Sequence, residues 1–137
     1  MPRPPAQVFA VLDDFSGTHQ WLAQCIRMQK CGQGENAVGD ALRWFHQGQW
    51  RPGVWPGRIV ARAPGERLAC EYASRHACIG IDFVLRHHGE GTYLTHTLQF
   101  SPRGWLGRLA APLMRRVLAR QSAATLASLR RCLLMPG

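Results

Sequence analysis

The feature that most constrains this chain is a single change of period. From Cys25 to about residue 101 apolar side chains return at every second position, in segments separated by glycine, proline and polar clusters at hairpin spacing; from about Ala111 to Leu134 they return at every third or fourth. Alternation gives each strand one apolar face, and a meander of such strands must lay that face against something. The amphipathic run at the far end is the partner the chain supplies. The pattern therefore predicts an α+β architecture: a curved antiparallel sheet of six or so strands, near 25–32, 41–49, 55–63, 67–75, 79–87 and 92–101, wrapped around one long C-terminal helix. At 137 residues the chain suits a single domain, 1–137, large enough for a core and a cavity.

Short helices are expected before the sheet. Pro4 and Pro5 can open a helical turn at no cost, because the N–H that proline lacks would be unpaired there anyway. Val8, Phe9 and Leu12 then share a side, Asp13-Asp14-Phe15-Ser16-Gly17 breaks the pattern, and residues 18–24 add a turn carrying Trp21 and Leu22. The strand connections, Gly32 to Asn36, Gln49 to Gly53, Ala63 to Glu66 and His87 to Gly91, are rich in residues that turns require. Pro112 is placed in a first helical turn, which makes 104–110 a separate turn or two.

Alternation also sorts the faces. Ile79, Ile81, Phe83 and Leu85 form one inner row, Leu94, His96, Leu98 and Phe100 the next, and Leu68, Cys70 and Tyr72 a third. Trp55, Ile59 and Ala61 are expected inside against Arg58 and Arg62, and Leu42, Trp44 and His46 form a weaker row. On the long helix, Ala110, Met114, Val117, Gln121, Ala124, Thr125, Ser128 and Cys132 share a face opposite most of the arginines.

Composition excludes several classes of function. The net charge of +9 comes from 16 arginines and Lys30 against 8 acids, in a chain rich in Ala, Gly and Pro, which is the signature of a GC-rich coding sequence as much as of phosphate binding. The arginine face of the helix reads as solvated and without interleaved aromatics, so no specific nucleic acid is expected. Five irregularly spaced cysteines without a CxxC read as reduced thiols, with neither a metal nor a cofactor. No apolar run approaches the length of a membrane span and no signal-like block opens the chain, so a soluble, cytoplasmic protein is expected.

Several local sequences carry a resemblance: Pro4-Pro5-Ala6-Gln7-Val8-Phe9 leading to Asp13 and Trp21, Val38-Gly39-Asp40 before a strand, Ala63-Pro64-Gly65-Glu66-Arg67-Leu68 at a hairpin, Gly91-Thr92 with Leu94-Thr95, and Pro102-Arg103-Gly104 before the helix. In order and spacing the chain resembles the START-like, Bet v 1-like SRPBCC superfamily, polyketide cyclase/dehydrase type. The resemblance implies the helix-grip fold and an apolar cavity between sheet and helix for lipids, polyketides or aromatic metabolites. It also implies a strand before the first helix; with Met1 so close to that helix, either the true start lies upstream and supplies that strand, or the sheet lacks it and a bare edge, with a homodimer to cover it, is expected.

The candidate ligand-binding residues are Trp44, Trp55, Tyr72 and Phe83 as aromatic walls, His96 on the inner row of the last strand, and Met114, Gln121 and Thr125 on the helix stripe. Each has a plain alternative in core packing, and His96 is equally a hydrogen-bonded core histidine or an acid–base group. Small and polar residues in mid-stripe predict an underfilled middle of the sheet–helix interface. Binding of an apolar small molecule leads these readings; a cyclase- or dehydratase-like enzyme, needing a polar pair such as His96 with Gln121 or Tyr72, and a protein-interaction module are the alternatives.

Overall fold

The computed structural model describes residues 1–47 and 53–134. Helix α1 (Pro5–Asp13) and a 3-10 helix (Phe15–Gln20) precede six strands, β1 (Cys25–Lys30), β2 (Ala41–His46), β3 (Gly53–Ala63), β4 (Arg67–Ala73), β5 (Ala77–His88) and β6 (Gly91–Pro102), and helix α2 (Gly104–Leu134) ends the described chain. The strands pair antiparallel in chain order, β1 to β6, and with α2 this is the helix-grip arrangement. The last residues of the expected second strand, 48–49, and the turn from Gln49 lie outside the described residues.

Local chemistry sets the elements. Pro5 stands at the first helical position, and the Pro4 carbonyl accepts from the N–H groups of Gln7 and Val8 at 3.0 and 3.1 Å. The Asp14 carboxylate accepts from the Ser16 N–H and hydroxyl, turning the chain into the 3-10 helix that buries Phe15 and Thr18. His88 pairs with Gly91 across a two-residue turn in which Gly89 takes a φ of 60°, a conformation that tight hairpins favour and only glycine adopts freely.

The inner rows of β4 and β5 are buried as the alternation predicts, and β6 presents Leu94, His96, Leu98 and Phe100 inward at intermediate exposure. They pack with Val8, Phe9 and Leu12 of α1, with Trp21, and with Leu118, Leu129 and Leu133 of α2. In β3 the expected row fails at its end. The pairing shifts between Ile59 and Ala61, and the inserted residue turns Arg62 onto the row that faces Leu68. There its guanidinium lies over the Phe9 ring, 5.6 Å from the centroid, and donates to Asp13 at 3.0 and 2.8 Å.

Two expectations for α2 are corrected. The helix runs unbroken from Gly104 through Pro112, which is exposed, so the Arg108 carbonyl that loses its intrahelical partner can be hydrated. Its buried stripe is Gly107, Ala111, Leu118, Thr125, Leu129 and Leu133, turned roughly 80° from the expected face at 100° per residue, and Ala110 and Ala124 are exposed. At the other end, Met1 covers part of the β6 edge: its amino group donates to the Thr92 carbonyl, and its carbonyl accepts from the Thr92 N–H, both at 2.9 Å. Beyond Thr92, β6 is the last strand of the sheet.

Candidate functional site

The aromatic cluster begins with register. Trp44 of β2 stands directly opposite Trp55 of β3, on the face toward α2, and their rings lie 6.1 Å apart. His46, two residues along the same row, sits 5.8 Å from the Trp44 ring and 5.7 Å from that of Trp55. Tyr72 supports Trp44 from the other side at 5.2 Å, edge to face.

Helix α2 crosses this end of the sheet and closes a cleft of about 650 Å3. Met114, Val117, Leu118 and Gln121 form its helical wall, with Trp44, Trp55 and Ile79 opposite. Gln24 lines the cleft at the joint between the 3-10 helix and β1; its left-handed backbone (φ 61°) is unusual for a non-glycine residue, and its carbonyl accepts from the Gln47 N–H at 3.0 Å, holding the joint to the end of β2. Arg120, exposed, sets a cation at the rim. The walls are apolar, and the polar groups are few: an imidazole, two amides and one guanidinium.

Deeper between sheet and helix the space closes. Around His96, Ser122 and Thr125 only about 10 Å3 is left, at the lower limit for one water molecule. The Thr125 hydroxyl accepts from the Ala23 N–H at 2.9 Å. The His96 ring stacks on Phe83 at 4.6 Å, its Nδ1 shares a hydrogen bond with the Ser122 hydroxyl at 2.9 Å, and its buried Nε2 has no partner among the described residues. The expected underfilled middle is therefore displaced toward the first half of α2, because Leu118 and Leu129 join Thr125 in the buried stripe where Gln121, Ala124, Thr125 and Ser128 were expected.

Of the residues singled out from sequence, Trp44, Trp55, Met114 and Gln121 are brought together at the cleft. His96 and Thr125 meet only the small inner void, where Trp44 and Gln121 also reach. Tyr72 and Phe83 are core residues, 2% and 4% exposed, and the Tyr72 hydroxyl turns to the Met28 sulfur at 3.6 Å. Sequence reasoning missed Gln24, Leu118 and Arg120 as lining, and it set Val117 on the inward stripe without naming it as a ligand contact. The row containing His46 was visible in the alternation, but the helix residues depend on a rotation that alanine-rich sequence scarcely marks.

Burial lowers the pKa of both His46 and His96, so each imidazole is neutral near pH 7. The unfolded chain takes up these protons first, near pH 6.5, and the folded state therefore loses stability as pH falls below that value. The melting temperature is expected to drop between about pH 7 and about pH 5, and a His46→Gln/His96→Gln variant to show a flatter profile in calorimetry. An unchanged slope in that variant would count against the assignment.

Comparison with known proteins agrees with this fold. The family model for polyketide cyclase / dehydrase and lipid transport proteins matches residues 1–133. Among solved structures, TTHA0849 from Thermus thermophilus superposes with a TM-score of 0.77 at 17% identity, covering 96% of this chain and 90% of that one. The Zhui aromatase/cyclase from a Streptomyces species gives a TM-score of 0.77 at 17% identity over 93% of this chain and 85% of its own. A START superfamily protein from Mycobacterium smegmatis gives 0.73 at 14% identity over 96% and 93%. At such identities these likenesses speak for the fold alone. Comparison with curated proteins gives no match. No helix among the described residues is long and apolar enough to cross a membrane. With a family model spanning nearly its whole length and a sheet closed on a long helix, the chain belongs to the polyketide cyclase / dehydrase and lipid transport family.

Proposed function

We propose that this protein binds an apolar or aromatic small molecule in the cleft between β2–β3 and the first half of α2. The observation that carries this reading is the cleft itself: about 650 Å3, walled by Trp44, Trp55, Met114, Val117 and Leu118, with polar groups confined to a few positions. That volume and that balance suit a ligand of drug or metabolite size. The neutral His46 imidazole and the Gln121 amide give such a ligand an orienting contact without the cost of burying a charge.

An acid–base enzyme on the same ligand is less well supported. The pairs expected for it are not made among the described residues: His96 bonds to Ser122, and Tyr72, whose pKa burial pushes well up, turns its hydroxyl to the sulfurs of Met28 and Cys70. His96 holds α2 to β6 in this reading, and Tyr72 stiffens the aromatic wall.

The test is a titration of the folded protein with anilinonaphthalene sulfonate, followed by native mass spectrometry of the purified chain for a retained molecule. Trp55→Ala is expected to weaken the probe at least tenfold. Gln121→Leu removes one hydrogen-bonding group and is expected to weaken a retained polar ligand by about fivefold, roughly 1 kcal/mol, while leaving thermal stability unchanged or raised. Probe binding indifferent to both substitutions would sink the assignment.

A further inference from the structure

The first half of α2 presents a second surface, on the side away from the sheet. Gly107 and Ala111 seat this half of the helix: a Cβ at Gly107 would collide with the carbonyl oxygen of His76, which also accepts from the Arg103 N–H at 2.7 Å, and Ala111 is buried. At 100° per residue the opposite side carries Trp105, Leu109 and Leu113 in one row over three successive turns, with Leu106 beside it. These side chains are 73, 75, 61 and 47% exposed, respectively. A contiguous row of large apolar groups left in water on a helix already seated elsewhere has no packing partner among the described residues.

The same surface is cationic. Arg108, Arg116 and Arg120 are exposed around and beyond the apolar row, none has an acidic partner among the described residues, and α2 contains no Asp or Glu. A second copy seated here about a two-fold axis would set guanidinium against guanidinium. A nucleic acid strand would call for several stacking rings, and the row offers one indole and three leucines. Leucines and an indole bracketed by arginines suit an anionic bilayer: the apolar groups enter the acyl boundary, the indole sits at headgroup level, and the guanidiniums reach the phosphates.

We propose that residues 105–120 of α2 form a peripheral docking surface for anionic phospholipid membranes. The segment is about 24 Å long at 1.5 Å per residue and lies in the plane of the interface. Arg120 also stands at the rim of the cleft, so docking brings the cleft mouth beside the bilayer. The surface does not depend on what the cleft holds, and the two readings stand or fall by separate measurements.

The experiment is flotation of the intact protein with phosphatidylcholine vesicles, with and without phosphatidylserine. Binding is expected only with phosphatidylserine, weakening as salt is raised. Leu109→Ser/Leu113→Ser should lower the partition coefficient at least tenfold with an unchanged melting temperature, because both side chains are already exposed. Arg108→Ser and Arg116→Ser should each lower it by about fivefold. No flotation with either vesicle, or flotation that the leucine variant leaves intact, overturns the proposal. So does a protein that fails to float but binds duplex DNA at physiological salt, or forms a dimer that the leucine variant disperses.

Discussion

Gly57→Ala is expected to destabilise the protein by about 3 kcal/mol and to abolish probe binding in the cleft, although it adds only one methyl group. Gly57 lies on the inner row of β3 between Trp55 and Ile59, opposite Leu42 on one side and Tyr72 on the other. A Cβ there would occupy space already taken by the Tyr72 ring and by the Glu71 carbonyl oxygen. The carbonyl belongs to the sheet ladder and cannot move alone, so the strand or the ring must shift. Tyr72 is 2% exposed and rests against Trp44, and its displacement carries the aromatic wall with it. Calorimetry should show a melting temperature lower by roughly 10 °C for a chain of this size. A variant that melts with the wild type would mean that the glycine leaves slack the geometry does not show. Gly65→Ala, at a hairpin position with a φ of 76° and open space around it, separates backbone strain from crowding and should cost only about 1 kcal/mol.

How far the molecule could be read from its sequence differs by element, and contrast is the reason. In β5 and β6 the alternation is strong enough that the inner rows Ile79, Ile81, Phe83, Leu85 and Leu94, His96, Leu98, Phe100 could be read directly, while the register that sets Phe83 opposite His96 and Ile81 opposite Leu98 comes from the structure. The slip at Ile59 was not visible, because a one-residue bulge leaves the composition of β3 unchanged and only reverses which of Ala61 and Arg62 is inside. In α2, alanine fits either side of a helix, so the stripe was centred by the arginines and came out turned from the true one. That rotation decides the site. It moves Leu118 and Leu129 into the interface, closes the space at His96, and leaves the cleft beside Trp44 and Trp55. The partner of His96 was beyond reach for another reason: Ser122 lies 26 residues away on a different element, and a hydrogen bond of that kind leaves no local signal.

Asp13→Ala is the second substitution with a large expected cost, and its pH dependence distinguishes it from a simple packing defect. The Asp13 carboxylate ends α1 and binds the Arg62 guanidinium through two parallel hydrogen bonds, while Asn36 donates to it at 3.0 Å and to its backbone carbonyl at 2.7 Å. Both charged side chains are largely buried, 19% and 13% exposed, so removal of the carboxylate leaves Arg62 on the inner row with only Glu35 near it, 3.7 Å away and 83% exposed. An uncompensated buried charge would cost about 3–5 kcal/mol; partial exposure reduces this to about 2 kcal/mol here. Burial by itself would raise the Asp13 pKa, but the hydrogen bonds from Arg62 and Asn36 and the charges of Arg62 and Lys30 outweigh it and hold the carboxyl below its ordinary value. The sign follows from the lowered value: the unfolded chain takes up this proton first, near pH 4, so the contribution is complete above that pH and is lost as pH falls through the folded value. The wild type and Asp13→Ala should therefore differ by a constant amount in the neutral range and converge in acid. Asp13→Ala/Arg62→Met, which removes the stranded charge and keeps the side-chain volume over Phe9, should recover at least half of the loss. Recovery of none, with parallel curves down to the acid limit, would show that Asp13 serves α1 through its backbone and not through the ion pair.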